Sequence, residues 1–266
     1  MKNIRYILMT VIAALCVTSC DWFVLDNMPG HDATVTGKIV DADGNLVPSE
    51  VYSYTQNYST YNNGYINIVE LGWDEEAYQT WFVKNNGTYR NNLVWAGKYR
   101  MDTKDANFYP VTHEFELKKG DNEVNFTVQP YVKFLSQEFT YDATTKKIIG
   151  TCQVQVTDPT KTTSLNEVRL CCYTDCFVST YFNNCSNDAG AVKQNVAFDA
   201  DGKATVTVEI DTQLEANFTE FKYERVHYVR FAALATGSAN SSARYNFTQT
   251  YSLKLDGSEA VEYNKW

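Results

Sequence analysis

The chain has 266 residues, of which 44% are hydrophobic, 14% aromatic and 21% charged, and its formal net charge at pH 7 is −9. This mixture is typical of a folded globular protein and excludes a largely disordered chain. An acidic protein repels phosphate backbones, so the sequence predicts no nucleic-acid partner. Only three histidines are present, which limits the supply of general bases and metal ligands.

The N-terminus has the pattern of a lipoprotein signal. Two basic residues precede an apolar run, residues 6–17, that is too short to span a bilayer as a stable helix. Small residues then lead directly to Cys20. Cleavage before Cys20 would free its amine, and acyl chains on the cysteine would anchor the protein to a membrane. We therefore predict a signal peptide over residues 1–19 and a lipidated tether over residues 20–32. The alternative is an ordinary secretion signal in which Cys20 is incidental.

From residue 33 onward the sequence predicts strands and turns. Alternating β-branched residues over 34–40 are typical of a strand, and Asp and Gly at 41–44 are typical of a turn. The Asn-Asn-Gly run at residues 85–87 indicates a hairpin. Pro130 ends this region because proline cannot continue a central strand. Further strands are predicted over residues 65–71, 81–84, 92–95, 97–101, 113–117 and 123–128.

The second half of the chain also predicts a succession of strands and turns, although it does not repeat the sequence of the first half. A hairpin is predicted around residues 199–202, and only residues 212–224 could hold a short helix. Short strands at regular spacing indicate a second sandwich. They are predicted over residues 148–156, 167–173, 195–198, 204–210, 228–234 and 245–255. The sequence therefore predicts an all-β protein of two β-sandwich domains, residues 33–130 and 131–266.

Several short motifs in the first domain carry a resemblance to known families. Residues 35–44 (VTGKIVDADG), 86–89 (NGTY) and 96–100 (AGKYR) resemble the prealbumin-type or carboxypeptidase-regulatory β-sandwich. More specific are residues 70–73 (ELGW) and 81–87 (WFVKNNG). Together with the lipoprotein signal and a second all-β domain, they make the whole chain similar to a family of outer-membrane lipoproteins known as domain of unknown function 3823.

That resemblance implies a fold and a cellular setting. The expected fold is a prealbumin-like N-terminal domain followed by an immunoglobulin-like C-terminal domain. Members of the family accompany the transporters and glycan-binding lipoproteins of polysaccharide uptake systems, so the resemblance implies the outer membrane, facing either the cell surface or the periplasm. The family has no established set of binding residues, so none is carried over. Residues 52–64 depart from its usual pattern because they are unusually rich in Tyr and Asn.

Five cysteines lie beyond the signal and the anchor. Cys152 and Cys172 share the apolar parity of their strands, so we expect both to be buried and unpaired, whereas Cys171 points the other way. Cys176 and Cys185 flank a loop, where a disulfide is feasible in a secreted protein. Because the spacing lacks paired C-x-x-C units and no histidine is near, the sequence predicts neither a metal site nor a thiol nucleophile.

The carboxylates do not form a catalytic pattern. Asp74, Glu75 and Glu76 follow Trp73 in one run, whereas a glycosidase needs two carboxyl groups held across a cleft about 5–9 Å apart. Three acidic residues in a row are more typical of a solvated loop. The Asp-Ala-Asp-Gly runs place glycine too early for a calcium-binding EF-hand and indicate plain turns. The sequence also lacks the nucleophile-elbow, zinc-helix and phosphate-loop motifs, so it predicts a non-enzyme without a cofactor.

The aromatic residues indicate where a ligand could bind. Sugar rings stack on aromatic faces and their hydroxyl groups bond to amides, so a glycan site requires both residue types on one surface. Trp81 and Trp95 lie inside strand-like runs, and we expect both in the core. Residues 52–61 combine tyrosines with Ser, Thr, Asn and Gln, which excludes a continuous core strand. The predicted ligand-binding residues are Tyr54, Tyr58, Tyr61, Trp73, Asn57, Asn62 and Asn63.

These features lead to two hypotheses of function. In the first, the protein is a lipid-anchored, non-catalytic accessory that binds a polysaccharide or oligosaccharide for uptake. In the second, it is a structural module that docks on an outer-membrane transporter complex and binds no sugar itself.

Overall fold

The protein forms two β-sandwiches in succession along the chain, which confirms the predicted all-β class. The structure is a computed structural model that describes residues 30–50, 64–103, 106–236 and 244–266. The predicted anchor Cys20 lies outside the described residues. So do six of the predicted ligand-binding residues, namely Tyr54, Asn57, Tyr58, Tyr61, Asn62 and Asn63.

The N-terminal sandwich has two sheets. In the first sheet, β1 (Ala33–Val40) pairs antiparallel with β4 (Thr88–Val94) and parallel with β7 (Gly120–Glu123) and β8 (Phe126–Thr127). The second sheet has the order β3-β2-β5-β6 and is antiparallel throughout. Its strands are β2 (Tyr65–Glu70), β3 (Tyr78–Phe82), β5 (Gly97–Thr103) and β6 (Val111–Leu117).

One of the two tryptophans predicted for this core is buried there. Trp81 packs with Tyr99 and Tyr89 at ring-centroid distances of 6.0 and 5.9 Å. Trp95 is only half-buried and packs against His31, with ring centroids 4.1 Å apart. The prediction for Trp95 is therefore wrong. It lies in the connection between β4 and β5, where strand alternation no longer directs its side chain inward.

The C-terminal sandwich also has two sheets. One has the order β13-β10-β9, and the other has the order β12-β11-β14-β16-β17, with β15 paired to β14. A short helix, α1 (Glu215–Phe221), lies where the sequence allows one. The strands are β9 (Val132–Asp142), β10 (Lys147–Val156), β11 (Ser164–Tyr173), β12 (Val192–Ala197), β13 (Lys203–Asp211), β14 (Val226–Ala235), β15 (Tyr245–Phe247), β16 (Tyr251–Lys254) and β17 (Val261–Glu262).

Two features of this sandwich differ from the strands predicted by sequence. Strand β9 was not predicted, because most of its side chains are exposed or half-buried and its apolar alternation is weak. The single strand predicted over residues 245–255 is broken into β15 and β16. At the break, the Thr248 hydroxyl accepts a hydrogen bond of 3.0 Å from the Phe231 amide, so a side chain replaces one backbone partner.

Both predicted hairpins are wrong for the same physical reason. The turn at residues 85–87 joins β3 to β4, and the turn at residues 199–202 joins β12 to β13. In each case the two strands belong to different sheets of their sandwich. Beside the first turn, pairing across the junction is limited to the Val83–Tyr89 bridge and the hydrogen bond from the Lys84 amide to the Thr88 carbonyl, at 2.8 Å. A turn motif fixes the reversal of the chain, whereas core packing decides which sheet each strand joins.

The two Asp-Ala-Asp-Gly turns are built alike. The Asp41 carboxylate accepts the amides of Asp43 and Asn45 at 3.0 and 2.8 Å. The Asp199 carboxylate accepts those of Asp201 and Lys203 at 2.9 and 2.8 Å. Each first aspartate thus closes its own turn.

The cysteines follow the predicted burial. Cys152 and Cys172 are buried in the C-terminal core, and Cys171 is buried on the opposite face of β11 beneath Val178 and Phe247. Burial raises the pKa of the Cys152 and Cys171 thiols to about 12.

The disulfide that the sequence allows is not formed in the structure, where Cys176 and Cys185 are both free thiols. Their surroundings differ. Cys185 is fully buried in the C-terminal core, whereas Cys176 is half-buried and shares a hydrogen bond with the Tyr263 side chain.

A buried ionic contact joins the two sandwiches. The Arg230 guanidinium on β14 is fully buried, donates to the Ser49 carbonyl at 3.0 Å and lies 3.7 Å from the Glu50 carboxylate. It also lies 3.8 Å from the centre of the Phe247 ring. Thr180 donates to Glu50 through its amide and its hydroxyl, at 3.3 and 2.5 Å. Residues of the N-terminal sandwich are therefore held by charge and hydrogen bonds inside the C-terminal one.

Amide side chains continue this interface. Asn246 Nδ2 donates to the Asn107 carbonyl at 2.6 Å, and Asn246 Oδ1 accepts the Val132 amide at 3.2 Å. Asn85 Nδ2 donates to the Val178 carbonyl at 3.2 Å. We call these contacts, together with those of Arg230, the interdomain seam. No helix among the described residues is long and apolar enough to cross a membrane.

Candidate functional site

The outer face of the β3-β2-β5-β6 sheet presents aromatic side chains to solvent. β3 is an edge strand of this sheet, and Trp81 points from it into the core. Side chains alternate along a strand, so Tyr78, Thr80 and Phe82 point outward. Tyr78 is 56% exposed and Phe82 is 54% exposed. The strand thus carries two large exposed rings on one face, which we call the β3 face.

Polar residues surround these rings and hold their positions. In the register of β2 and β3, Asn67 is paired with Thr80 and Tyr65 with Phe82. The Tyr78 hydroxyl donates to Asp102 Oδ2 at 2.9 Å, which fixes the orientation of the ring. The β3 face therefore combines stacking surfaces with amide, hydroxyl and carboxylate groups.

A close ion pair lies on the same face of the sheet. Arg100 on β5 donates to both carboxylate oxygens of Glu76, at 3.0 and 2.6 Å. These hydrogen bonds hold the pKa of Glu76 below its ordinary value. Because the two charges neutralise each other, the pair offers no net charge to a ligand on this face.

Trp73 lies in the connection between β2 and β3 and is 55% exposed. It lines a cavity of 450 Å³ with Glu70, Asp74, Glu75, Ala77 and Gln79. Inside this cavity, Gln79 Nε2 donates to Glu70 at 3.4 Å. Ala77 and Gln79 flank Tyr78 in the chain, so the Trp73 cavity lies at the Tyr78 end of β3 but on the side opposite to the outward-pointing rings.

Of the predicted ligand-binding residues, Trp73 alone is within the described part of the chain. The other six fall in the stretch between Glu50 and Gly64, whose structure is not described. At the far end of that stretch, the Gly64 carbonyl accepts the Val83 amide at 2.8 Å, next to Phe82. Trp73 and Gly64 therefore lie at opposite ends of β2.

Sequence reasoning missed Tyr78 and Phe82. A signal for them was present, because assigning Trp81 to the core also assigns its strand neighbours at odd spacing to the opposite face. The predicted strand begins at Trp81, so Tyr78 falls in a predicted loop. The direction of the Phe82 side chain is not part of the prediction.

Two larger cavities lie between the sandwiches, with volumes of 540 and 690 Å³. Both are lined in part by Asp43 and Lys133, whose ion pair measures 2.8 Å. Their aromatic lining residues, Phe134, Phe247 and Tyr109, are buried or half-buried. These cavities therefore offer less ring surface for stacking than the β3 face does.

The described residues contain no group of three or more His, Cys, Asp or Glu side chains placed to hold a metal ion. His227 is buried against Phe221, with ring centroids 4.9 Å apart, which removes it from solvent. The exposed rings remain the most distinctive surface feature of the N-terminal sandwich.

The N-terminal sandwich is similar to a known protein family. Residues 33–129 match the model described as Protein of unknown function (DUF3823) N-terminal domain. The matched residues are those of the N-terminal sandwich. This agrees with the family resemblance found in the sequence. The chain matches no curated protein.

Solved structures with this fold cover most of the chain. One, from Bacteroides uniformis, is described as a "putative carbohydrate binding protein"; it is 28% identical, with a TM-score of 0.71, over 85% of this chain and 100% of that one. A DUF3823 family protein from Parabacteroides merdae is 17% identical, with a TM-score of 0.64, over 85% and 100% of the two chains. A DUF3823 family protein from Bacteroides ovatus is 16% identical, with a TM-score of 0.63, over 84% and 100%. At their lower identities, the latter two show the fold alone.

Proposed function

We propose that this protein is a non-catalytic lipoprotein of the outer membrane that binds glycan as an accessory of a polysaccharide uptake system. The observation that carries the proposal is the exposure of Trp73, Tyr78 and Phe82 at one edge of the N-terminal sandwich. The similarity to a structure described as a "putative carbohydrate binding protein" supports the same class of ligand.

The physical basis is stacking combined with hydrogen bonding. The C–H faces of a sugar ring pack on an aromatic ring, and each such contact contributes about 1 kcal/mol. Thr80 and Asn67 lie between the two rings of the β3 face and offer partners to sugar hydroxyls. A neutral glycan suits this face because the Arg100–Glu76 pair has no net charge and the Asp102 carboxylate beside Tyr78 would repel an anionic one.

Binding measurements on a panel of neutral polysaccharides test this proposal. We expect Tyr78→Ala and Phe82→Ala each to weaken affinity about five-fold, because each removes one stacking contact. Leu93→Ala is the matched control, because Leu93 is 69% exposed but lies on β4, in the other sheet. Affinity electrophoresis followed by calorimetry gives the values. Unchanged affinity in both aromatic variants would remove the β3 face from the proposal.

The stretch that precedes β2 belongs to the same proposal. Tyr54, Tyr58 and Tyr61 offer further stacking rings, and Asn57, Asn62 and Asn63 offer polar contacts. A triple Tyr→Ala variant separates their contribution from that of the β3 face. Binding of a neutral glycan should be nearly independent of salt, since it has no charge to screen.

The anchor is tested separately from sugar binding. Cys20→Ser removes the thiol that would carry the lipid, so the protein should appear in the soluble fraction after cell lysis. Membrane fractionation and mass spectrometry of the intact protein measure the outcome. If the variant stays with the membrane as firmly as the parent, then either Cys20 is not the anchor or a partner retains the protein.

Docking on an outer-membrane transporter complex remains the alternative function. Exposed apolar rings on an edge strand are also typical of a protein-binding surface. Pull-down from detergent-solubilised membranes with the parent and with Phe82→Ala tests it. Capture of a transporter by the parent alone, together with no glycan binding, would favour docking.

A further inference from the structure

We infer that the protein has a second sugar-binding surface, on the C-terminal sandwich, formed by the rings of Phe177, Tyr228, Tyr263 and Trp266. We call these four residues the C-terminal aromatic cluster. The inference rests on the proposed glycan-binding function and adds a site that is separate from the β3 face. It follows from the arrangement of the rings, the polar groups beside them and the hydrogen bonds that hold them.

The four rings form one continuous row. Tyr263 contacts Tyr228 and Trp266, at ring-centroid distances of 5.4 and 5.2 Å. Trp266 also contacts Phe177, at 6.2 Å. The interplanar angles in these pairs are 87°, 89° and 64°, so no two of the rings stack face to face. A sugar can therefore still pack its C–H face on a ring of the cluster.

Core packing does not account for the cluster. Phe177 is 48% exposed, and the other three rings are half-buried. Of those three, Tyr228 alone packs against a buried hydrophobic cluster of the described residues, the one that contains Cys171 and Val178. Aromatic rings that meet one another at a surface are typical of a site for a ligand with apolar faces.

Groups that bond to sugar hydroxyls border the rings. Burial raises the pKa of the Tyr228 hydroxyl, and the nearby Cys176 and Asp175 side chains add to the shift, which puts the Asp175 carboxylate close to this ring. The exposed Asn264 amide lies in the same C-terminal segment as two of the rings. A hydrogen-bond acceptor, a donor and an apolar face together are what recognition of a neutral sugar requires.

Hydrogen bonds hold the cluster in place before any ligand arrives. The Asp175 carboxylate accepts the Phe177 amide at 3.0 Å. The Cys176 side chain shares hydrogen bonds with the side chains of Tyr263 and Asp175. The Tyr263 hydroxyl donates to the Lys265 carbonyl at 3.2 Å. Rings that are already fixed in position lose little entropy on binding.

The cluster and the β3 face lie on different sandwiches, which the interdomain seam joins through Arg230 and Glu50. One chain would therefore offer two surfaces to the same polysaccharide. A polymer held at both surfaces dissociates more slowly than one held at either alone, because the second contact forms within the complex.

Counting bound sugars tests the inference. The probes are cellohexaose, maltohexaose and xylohexaose, titrated by calorimetry. We expect two bound molecules per chain in the parent and one in the double variant Phe177→Ala with Trp266→Ala. The double variant Tyr78→Ala with Phe82→Ala should also bind one, because it loses the other surface. Leu135→Ala is the control and should still bind two, since Leu135 is 41% exposed but lies on β9, in the other sheet of the C-terminal sandwich.

A second variant separates the loss of stacking from a general disturbance of the C-terminal segment. Phe177→Tyr with Trp266→Phe keeps an aromatic ring at both positions, so it should bind as many molecules as the parent. Melting temperatures confirm that all the variants are folded.

The possible outcomes separate the two proposals. If Phe177→Ala with Trp266→Ala binds as many molecules as the parent, or if the variant that keeps both rings also loses the site, then the inference is wrong while glycan binding stands. If the parent binds one molecule, and the Phe177 and Trp266 alanine variant loses it while the β3 variant keeps it, then the cluster is the sugar site and the β3 face is not. If none of the probes or their polymers binds the folded parent, then the proposed function fails and the inference fails with it.

Discussion

At the scale of single residues, His227 on β14 shows how burial alone can make stability depend on pH. The ring is buried against Phe221, and its Nε2 atom has no hydrogen-bond partner among the described residues. Burial lowers the pKa of His227 to about 4 from an ordinary value of 6.5, and the positive charge of Arg225 adds to the effect. The folded protein therefore keeps this ring neutral in mildly acidic solution.

The pH dependence follows from linkage. Between pH 6.5 and pH 4 the unfolded chain protonates His227 and the folded one does not, so stability falls as the pH falls. We expect this residue to account for a loss of about 2–3 kcal/mol across that window. Urea unfolding at both ends of the window measures it. His227→Phe should flatten the dependence, and an equally steep loss in that variant would contradict the assignment.

The aromatic residues show the same importance of local surroundings. Trp81 and Phe82 are neighbours in the chain, yet the first is buried in the core and the second is exposed on the β3 face. Their residue types do not distinguish them. Only the direction of each side chain from β3 does, and that direction makes one a core residue and the other a candidate ligand contact.

At the scale of elements, close packing of strand β1 depends on Gly37. A Cβ atom at this position would lie 1.8 Å from the Val124 carbonyl oxygen and 2.6 Å from the Tyr89 ring. The Tyr89 hydroxyl donates to that same carbonyl at 2.7 Å. The absence of a side chain at Gly37 thus allows a tyrosine to cross β1 and bind the backbone beyond it.

Gly37→Ala should therefore destabilise the protein by about 3 kcal/mol, because backbone and ring must both shift. Gly97→Ala is the control, since its Cβ atom would meet only the Tyr99 ring at 3.9 Å, an ordinary contact. We expect the control to change stability by less than about 1 kcal/mol. Chemical unfolding of both variants measures the difference. Equal midpoints would contradict the close approach at Gly37.

The turns between elements explain why local motifs did not give the topology. At residues 85–87, Gly87 has a φ of 85° and its amide donates to the Lys84 carbonyl at 2.9 Å, as in a tight hairpin. After the Val83–Tyr89 bridge, however, β3 continues with β2 and β4 continues with β1. Each strand gains more by covering the core from its own sheet than by extending the hairpin.

At the scale of the whole molecule, the interdomain seam couples the two sandwiches. Arg230 is fully buried in the C-terminal sandwich, but its nearest carboxylate belongs to Glu50 in the N-terminal one. Burial lowers the pKa of Arg230 to about 10, so the guanidinium remains charged at neutral pH. Two buried charges of opposite sign make separation of the sandwiches costly, because each would lose its partner.

Arg230→Met should destabilise the protein by about 3–5 kcal/mol, because it leaves the Glu50 carboxylate buried without its cation. We expect the parent to unfold in one calorimetric transition and the variant to unfold in two. Arg225→Met, at an exposed arginine that directly precedes β14, should keep one transition. Adding Glu50→Gln to Arg230→Met should recover part of the loss. Two transitions in the parent would show that the seam does not couple the sandwiches.

What the sequence by itself determined is local. Strand alternation predicted the all-β class, the burial of Cys152 and Cys172, and Trp81 in the core, because a side chain's direction depends on parity within one strand. Turn chemistry located the chain reversals at Gly44, Gly87 and Gly202, which all adopt positive φ.

Only the tertiary structure decided the features that join distant parts of the chain. It assigned strands to sheets, made β9 a strand by pairing it with β10, and exposed Tyr78 and Phe82 along an edge. It also brought Arg230 to Glu50, residues that lie in different sandwiches. The physical reason is that these features depend on which surfaces a folded core covers, and that choice balances contacts between residues far apart in sequence.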